Sequence, residues 1–174
     1  MFECVLYKGI IDYVKDKLSF NQHGFISGRS TVTNLFVITQ YISDQLDKSL
    51  QVDVVYTDFT KAFDHLDHSR LLCKLHRYGF SDSLVQLLRS YLLNRSQYVE
   101  CRGVKSKTFR ALSGVPQGSI LGPLLFNLFI DDVSCRLSAR HLLYADDMKL
   151  FHCISTISDC LCLQQNLDIL SEWC

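Results

Sequence analysis

The stretch Leu142–Phe151, L-L-Y-A-D-D-M-K-L-F, sets the tightest limit on what this chain can fold into. Two adjacent carboxylates, Asp146 and Asp147, interrupt an apolar run that has strand-forming residues on either side. That pattern predicts a tight hairpin whose turn presents acids while its two strands are buried. Paired carboxylates in an apolar setting are costly unless a cation or hydrogen bonds offset their charge. A divalent-metal site is the simplest offset. Asp-Asp is also an ordinary turn dipeptide, so the rest of the chain has to decide between the two.

A length of 174 residues with 48% hydrophobic content suits one globular domain, 1–174, with a real core. The 18 basic residues balance 18 acidic ones. Nucleic acid, if bound, is therefore held by local geometry or with basic parts from elsewhere, and not by bulk charge. No apolar run reaches the length of a membrane span, and the N-terminus lacks the order of a signal peptide. The eight cysteines include no Cys-x-x-Cys pair and mostly neighbour apolar residues. They read as core thiols of a reduced, intracellular protein, in cytoplasm or nucleus. His65, His68 and Cys73 lack a fourth ligand at zinc-site spacing.

Along the chain, Leu6, Ile10, Val14 and Leu18 share a helical stripe over 4–18. A turn-rich segment, 21–31, ends in an N-cap at Ser30 or Thr31. A helix to about Asp47 follows, burying Leu35, Ile38, Ile42 and Leu46. Arg29 at this junction can face an anionic ligand or simply be a solvated loop arginine. The β-branched run 52–58 predicts a buried strand ending at Asp58. A helix at 68–78 closes at Gly79, and Ser81 caps another with Leu84, Val85, Leu88, Tyr91 and Leu92 inward. Strands at 97–102 and 107–112 are expected about Gly103, with Arg102, Lys105, Lys107 and Arg110 as the one basic cluster. The loop S-G-V-P-Q-G, 113–118, is stiffened by Pro116, and Gly118 lets a backbone come close. Pro123 is placed as the first residue of a helix to about Arg136. A last helix, Ser158 to about Trp173, carries Leu163, Leu167 and Leu170 on its apolar stripe.

If strand 52–58 neighbours the hairpin, Asp58, Asp146 and Asp147 converge at one sheet edge. Oxygen ligands with open positions suit Mg²⁺, which keeps waters and takes further ligands from substrate phosphates. A pair of such ions is the apparatus of phosphoryl or nucleotidyl transfer. No Gly-x-Ser-x-Gly nucleophile and no Walker loop is present.

Y-T-D-F-T-K-A-F-D at 56–64, S-G-V-P-Q-G-S-I-L-G-P-L-L-F-N at 113–127 and Y-A-D-D at 144–147 resemble, in order and spacing, the palm motifs of reverse transcriptases. Q-H-G-F-I-S-G-R-S-T at 22–31 resembles the fingers segment upstream, and S-I-L-G-P-L-L-F-N is most similar to jockey-type non-LTR retrotransposon enzymes. The resemblance implies an α+β palm: a small antiparallel sheet backed by helices (51–174), with part of the fingers (1–50) and no thumb. It implies RNA-directed DNA polymerase activity on an RNA template, a DNA primer and a deoxynucleoside triphosphate. Two Mg²⁺ ions, replaceable by Mn²⁺, would serve it, with Asp58, Asp146 and Asp147 as ligands.

The same resemblance makes Phe63 the gate under the incoming sugar. It gives Gln117, Gly118 and Ala145 to the nucleotide, and Tyr144, Pro116 and Arg29 to primer or template. Basic fingers elements, the thumb and an endonuclease region are expected in a longer parent polyprotein. An inactive retroelement remnant that only binds nucleic acid or a partner is the alternative expectation.

Overall fold

The computed structural model describes residues 2–174. In chain order its first elements are α1 (Phe2–Val14), α2 (Thr31–Leu46), β1 (Gln51–Asp58), α3 (Ala62–His65), α4 (His68–Arg77) and α5 (Asp82–Leu92). Four two-residue strands follow, β2 (Ser96–Gln97), β3 (Glu100–Cys101), β4 (Val104–Lys105) and β5 (Phe109–Arg110). The chain closes with α6 (Leu121–Ser134), β6 (Arg140–Tyr144), β7 (Asp147–Ile154) and α7 (Ile157–Trp173). Tertiary contacts divide it into two compact units. One holds the chain up to Val14 with Lys61–Phe129, the other Lys15–Thr60 with Ile130–Cys174.

The second unit is built on an antiparallel sheet of order β1-β7-β6. β1 pairs with β7 from Gln51↔Ile154 to Asp58↔Asp147, and β6 flanks β7 from Arg140↔Phe151 to Tyr144↔Asp147. Side chains alternate across a sheet, so this register puts Val54, Tyr56, Asp58, Leu142, Tyr144, Asp147, Lys149 and Phe151 on one face. Leu143, Met148 and Leu150 share the other face and are fully buried. β1 is an edge strand, which is why the run expected to be buried is only half-buried.

Helix α2 crosses the first face, where Ile38, Leu142 and Phe151 form a core with Tyr41, Ile42, Val52 and Val54 around it. Its start is the expected one. Ser30 is the N-cap, its Oγ accepting from Thr33 N (3.2 Å) while Thr33 Oγ1 accepts from Ser30 N (2.8 Å). The buried stripe is not the expected one. Leu35 and Leu46 are half or more exposed, and Asn34 is buried instead. Asn34 turns inward because it has polar partners there: its Nδ2 donates to Leu143 O (3.1 Å) and its Oδ1 accepts from Lys149 Nζ.

Helix α7 packs on β7 through Leu163, Asn166 and Leu170. Asn166 takes the inward place expected of Leu167, its Oδ1 accepting from Ser138 N (2.8 Å) and Ala139 N (3.0 Å). Trp173 Nε1 donates to Asp132 Oδ1 (2.9 Å), and its ring meets the edge of Phe59.

In the first unit α4 and α5 pack together, capped by Asp67 and Ser81, with Leu71, Leu75, Val85, Leu88 and Leu92 fully buried. α1 stops at Val14, so Leu18 is buried from outside the helix that was expected to carry it. Pro123 is the third residue of α6, not the first. It remains within the first turn, where no intrahelical acceptor awaits an N–H. The two strands expected about Gly103 are reduced to short exposed ladders, β2 with β5 and β3 with β4. The cysteines are free, but six are exposed and two half-buried, contrary to the core reading. On a helix an apolar neighbour in sequence lies on a different face, as with Cys160 and Cys162 on α7.

Candidate active site

Hairpin β6–β7 closes through two residues, Ala145 and Asp146. Ala145 has φ +57°, a positive angle of the kind that two-residue hairpin turns require at their first position and that glycine usually supplies. An alanine in that region costs about 1–2 kcal/mol. The turn is nonetheless fixed, because both backbone polar groups of Ala145 are held by one side chain. Gln22 Oε1 accepts from Ala145 N (2.9 Å) and Gly24 N (2.7 Å), and its Nε2 donates to Ala145 O (3.1 Å). Gln22 is 2% exposed.

The loop that carries Gln22 is itself pinned. His23 N donates to Leu143 O (2.8 Å) and Leu143 N to Asn21 O (2.8 Å), which makes residues 21–23 a parallel addition to the edge of β6. His23 Nδ1 is 2.9 Å from Thr33 Oγ1 in the cap of α2. A Cβ on Gly24 would lie 2.3 Å from Ala145 N, so only glycine allows this approach. Arg29 donates to Ser19 O (2.9 Å) and Gln22 O (2.6 Å) and lies over the Phe20 ring. In this structure Arg29, half-buried, braces the loop that carries Gln22.

The turn presents its acids at the end of the sheet. Asp147 faces Asp58 directly across the β1–β7 register, and Asp146 is the residue before it. Asp58 and Asp147 are exposed and Asp146 half-buried. Burial pushes the Asp146 carboxyl above the usual carboxylate range, and the negative charges of Asp147 and Asp58 push it further. Asp58 and Asp147 line a cleft of about 400 Å³ with Thr31, Asn34, Tyr56, Tyr144 and Lys149. Lys149 is held down by burial below the usual ammonium range, with Asp147 opposing that shift.

Among the described residues no group of three His, Cys, Asp or Glu is drawn close enough to enclose a metal ion. With two of them exposed and the third half-buried, the three acids form an open edge. Mutual repulsion at Asp146 is what a bound cation would relieve. An open edge suits an ion that keeps waters and completes its shell from a substrate.

Other expected site residues belong to the first unit. Phe63 is half-buried and stacks on Phe126 with ring centroids 4.3 Å apart. Its carbonyl accepts from Val115 N (3.0 Å), Gly114 N donates to Leu66 O (2.8 Å), and Ser113 Oγ donates to Asp64 O (2.7 Å). Those bonds lock the α3 turn to the S-G-V-P-Q-G loop. Gln117 and Gly118 are exposed, Pro116 is half-buried, and a Cβ on Gly118 (φ +77°) would meet nothing within 4 Å. Ala145, expected at the nucleotide, is 5% exposed, with its backbone N–H held by Gln22.

The residues that sequence reasoning missed are Gln22, Asn34 and Lys149. Gln22 lay inside a quoted motif, but a buried polar side chain leaves no mark in a hydropathy pattern.

Known proteins bear on this geometry in three ways. A family model described as "Reverse transcriptase (RNA-dependent DNA polymerase)" matches residues 2–174. The chain is 33% identical over 164 residues to a probable RNA-directed DNA polymerase from transposon BS of Drosophila melanogaster, covering 88% of this chain and 18% of that protein. It is 31% identical over 163 residues to the RNA-directed DNA polymerase from mobile element jockey of Drosophila funebris, again covering 18% of that protein. The chain thus spans less than a fifth of the length of these relatives. Among solved structures it is similar to apo telomerase from Candida tropicalis truncated from its C-terminal domain. That match has a TM-score of 0.68 and 12% identity, covering 95% of this chain and 36% of the other. Likeness at that identity speaks for the fold.

Proposed function

The chain belongs to the reverse transcriptase (RNA-dependent DNA polymerase) family, and from that premise we propose that it carries the acidic edge of an RNA-directed DNA polymerase. Its substrates are an RNA template, a DNA primer and deoxynucleoside triphosphates. The primer 3′-oxygen bonds to the α-phosphorus, the bond to the departing pyrophosphate breaks, and the hydroxyl proton is lost. The observation that carries the reading is the register pair Asp58↔Asp147 with Asp146 beside it in a fixed turn. Family enzymes generally use divalent metal ions. Here Asp58, Asp146 and Asp147 would hold Mg²⁺, or Mn²⁺ in its place. Two such ions supply activation of the hydroxyl and neutralisation of charge at the phosphate.

The chain's own residues contribute orientation and selection. Tyr144 and Tyr56, on the face of the sheet that bears Asp58 and Asp147, offer ring surface to a primer. Phe63, held by its stack on Phe126, is the sugar gate, since a fixed ring excludes a 2′-hydroxyl. Gln117 and Gly118 present an exposed amide and an unobstructed backbone to the nucleotide. Further phosphate grip comes from parts of a longer polyprotein, which the neutral charge of this chain leaves room for. An intracellular, reducing setting is part of the proposal, supported by eight cysteines without a disulfide.

Primer extension on an RNA template with Mg²⁺ and deoxynucleotides tests the reading. Extension by this chain, lost in Asp146→Asn, is the expected result. Extension retained in Asp146→Asn would remove the acids from the chemistry. No extension from a folded chain that also fails to bind Mg²⁺ would favour an inactive remnant.

A further inference from the structure

We propose that Gln22 is a positioning residue for the acidic turn, setting the direction of the Asp146 and Asp147 carboxylates through the backbone of Ala145. The inference rests on the reading that these acids hold the cation. In a two-residue hairpin the N–H and C=O of the first turn residue point away from the ladder and have no partner within it. Here they belong to Ala145, which is buried, and orphaned buried groups of that kind are costly. The Gln22 amide satisfies both, and its spare lone pair takes Gly24 N.

A terminal amide carries a fixed acceptor and a fixed donor side by side, so it can accept from a peptide N–H and donate to the same residue's C=O at once. Glutamate loses the donor, and methionine of equal length loses both functions. The surroundings are arranged to keep this amide in place. The peptide of Gln22 pairs beside β6, its carbonyl accepts from Arg29, and Gly24 has no Cβ to push the turn away. A positive φ at a non-glycine residue persists only where neighbours over-determine it. Gln22 is the neighbour that does so here, and the residues next in line are the acids.

The test compares the unmutated chain with Gln22→Met and with Leu170→Ala, a core truncation on α7 away from the turn. Amide exchange is followed at Gly24 and Ala145, and Mn²⁺ affinity by paramagnetic broadening of the Asp146 and Asp147 amide signals. Gln22→Met is expected to lose exchange protection at both amides and to weaken Mn²⁺ binding about tenfold or more, as outer-shell substitutions commonly do. Leu170→Ala is expected to lower stability while leaving the Mn²⁺ midpoint in place. In extension assays Gln22→Met should lose kcat with little change in nucleotide KM. An unchanged Mn²⁺ midpoint in Gln22→Met, with amide protection gone, would overturn the inference and leave the acids' role standing. No broadening in the unmutated chain would overturn both together.

Discussion

The opposition of Asp58 and Asp147 across one register position makes a quantitative prediction. Directly opposed residues have Cβ atoms about 5 Å apart. Two unit charges at about 5 Å repel by about 0.8 kcal/mol in water and by about 3 kcal/mol at an effective dielectric of about 20. Both side chains are exposed, so the lower figure applies, and salt reduces it further. Asp58→Asn or Asp147→Asn should therefore each stabilise the chain by about 0.5–1 kcal/mol at low ionic strength. For a chain of this length that is a rise of about 1–4 °C in Tm. The double variant should gain little beyond either single one from this pair, because the repulsion is already gone. Mg²⁺ should act oppositely. A cation bound at ten times its Kd stabilises by about 1.4 kcal/mol, so the unmutated chain gains from Mg²⁺ and the variants gain less. Thermal melts at low and high salt, with and without Mg²⁺, read all of this. Fully additive gains, gains indifferent to salt, or a loss of stability in the single variants would refute the reasoning.

Acidification should destabilise the fold below about pH 6.5. Burial lowers the pKa of His141 and, with the charges of Arg29 and Lys149, of His23. Unfolded histidines at about 6.5 take up protons that the fold refuses. Their contribution is present above that pH and lost as pH falls through the folded values. His141→Gln, which can still accept from Asn21, should flatten the dependence of Tm on pH between 7 and 5. Asp146 acts with the opposite sign. Its raised carboxyl favours the fold below about pH 4, and that contribution disappears as pH rises through the folded value. Asp146→Asn should accordingly stabilise at neutral pH and not at pH 3. Phe63→Val should raise ribonucleotide incorporation relative to deoxyribonucleotide incorporation, read by competition in extension assays. Asn166→Leu should cost about 1–3 kcal/mol by denaturant melt, since it orphans the buried N–H of Ala139 and removes the acceptor of the part-buried Ser138 N–H.

Much of the acidic edge was legible because it is written in patterns that report backbone geometry. Alternation about Asp146–Asp147 gave the hairpin, the β-branched run gave β1, and Ser30, Ser81 and Gly79 marked helix ends where they occur. Helix faces were less legible wherever a buried amide replaced a leucine. Asn34 and Asn166 are each about 1% exposed, and each turns inward because carbonyls or N–H groups on another element need a partner. No periodicity of apolar residues can announce such a need, since the partner lies far along the chain: Leu143 for Asn34, Ser138 for Asn166. The cysteines show the converse error, in which apolar neighbours in sequence were taken for neighbours in space.

Ala145 shows how these buried amides bear on the site. Glycine would satisfy the turn's positive φ at lower cost, yet it would leave the acids on a more flexible pivot. Alanine makes the turn harder to form and stiffer once formed, provided something holds it. The cost of about 1–2 kcal/mol is offset by hydrogen bonds from Gln22, each contributing about 1 kcal/mol net. Because Gln22 is anchored to β6 and to the cap of α2 through His23 and Thr33, the strained turn inherits the rigidity of the sheet and that helix end. Asp146 and Asp147, which the charge of Asp58 also repels, would otherwise swing away from β1 on a mobile turn. Their persistence as an open, cation-ready edge is therefore a property of the loop at 21–24 as much as of the acids themselves.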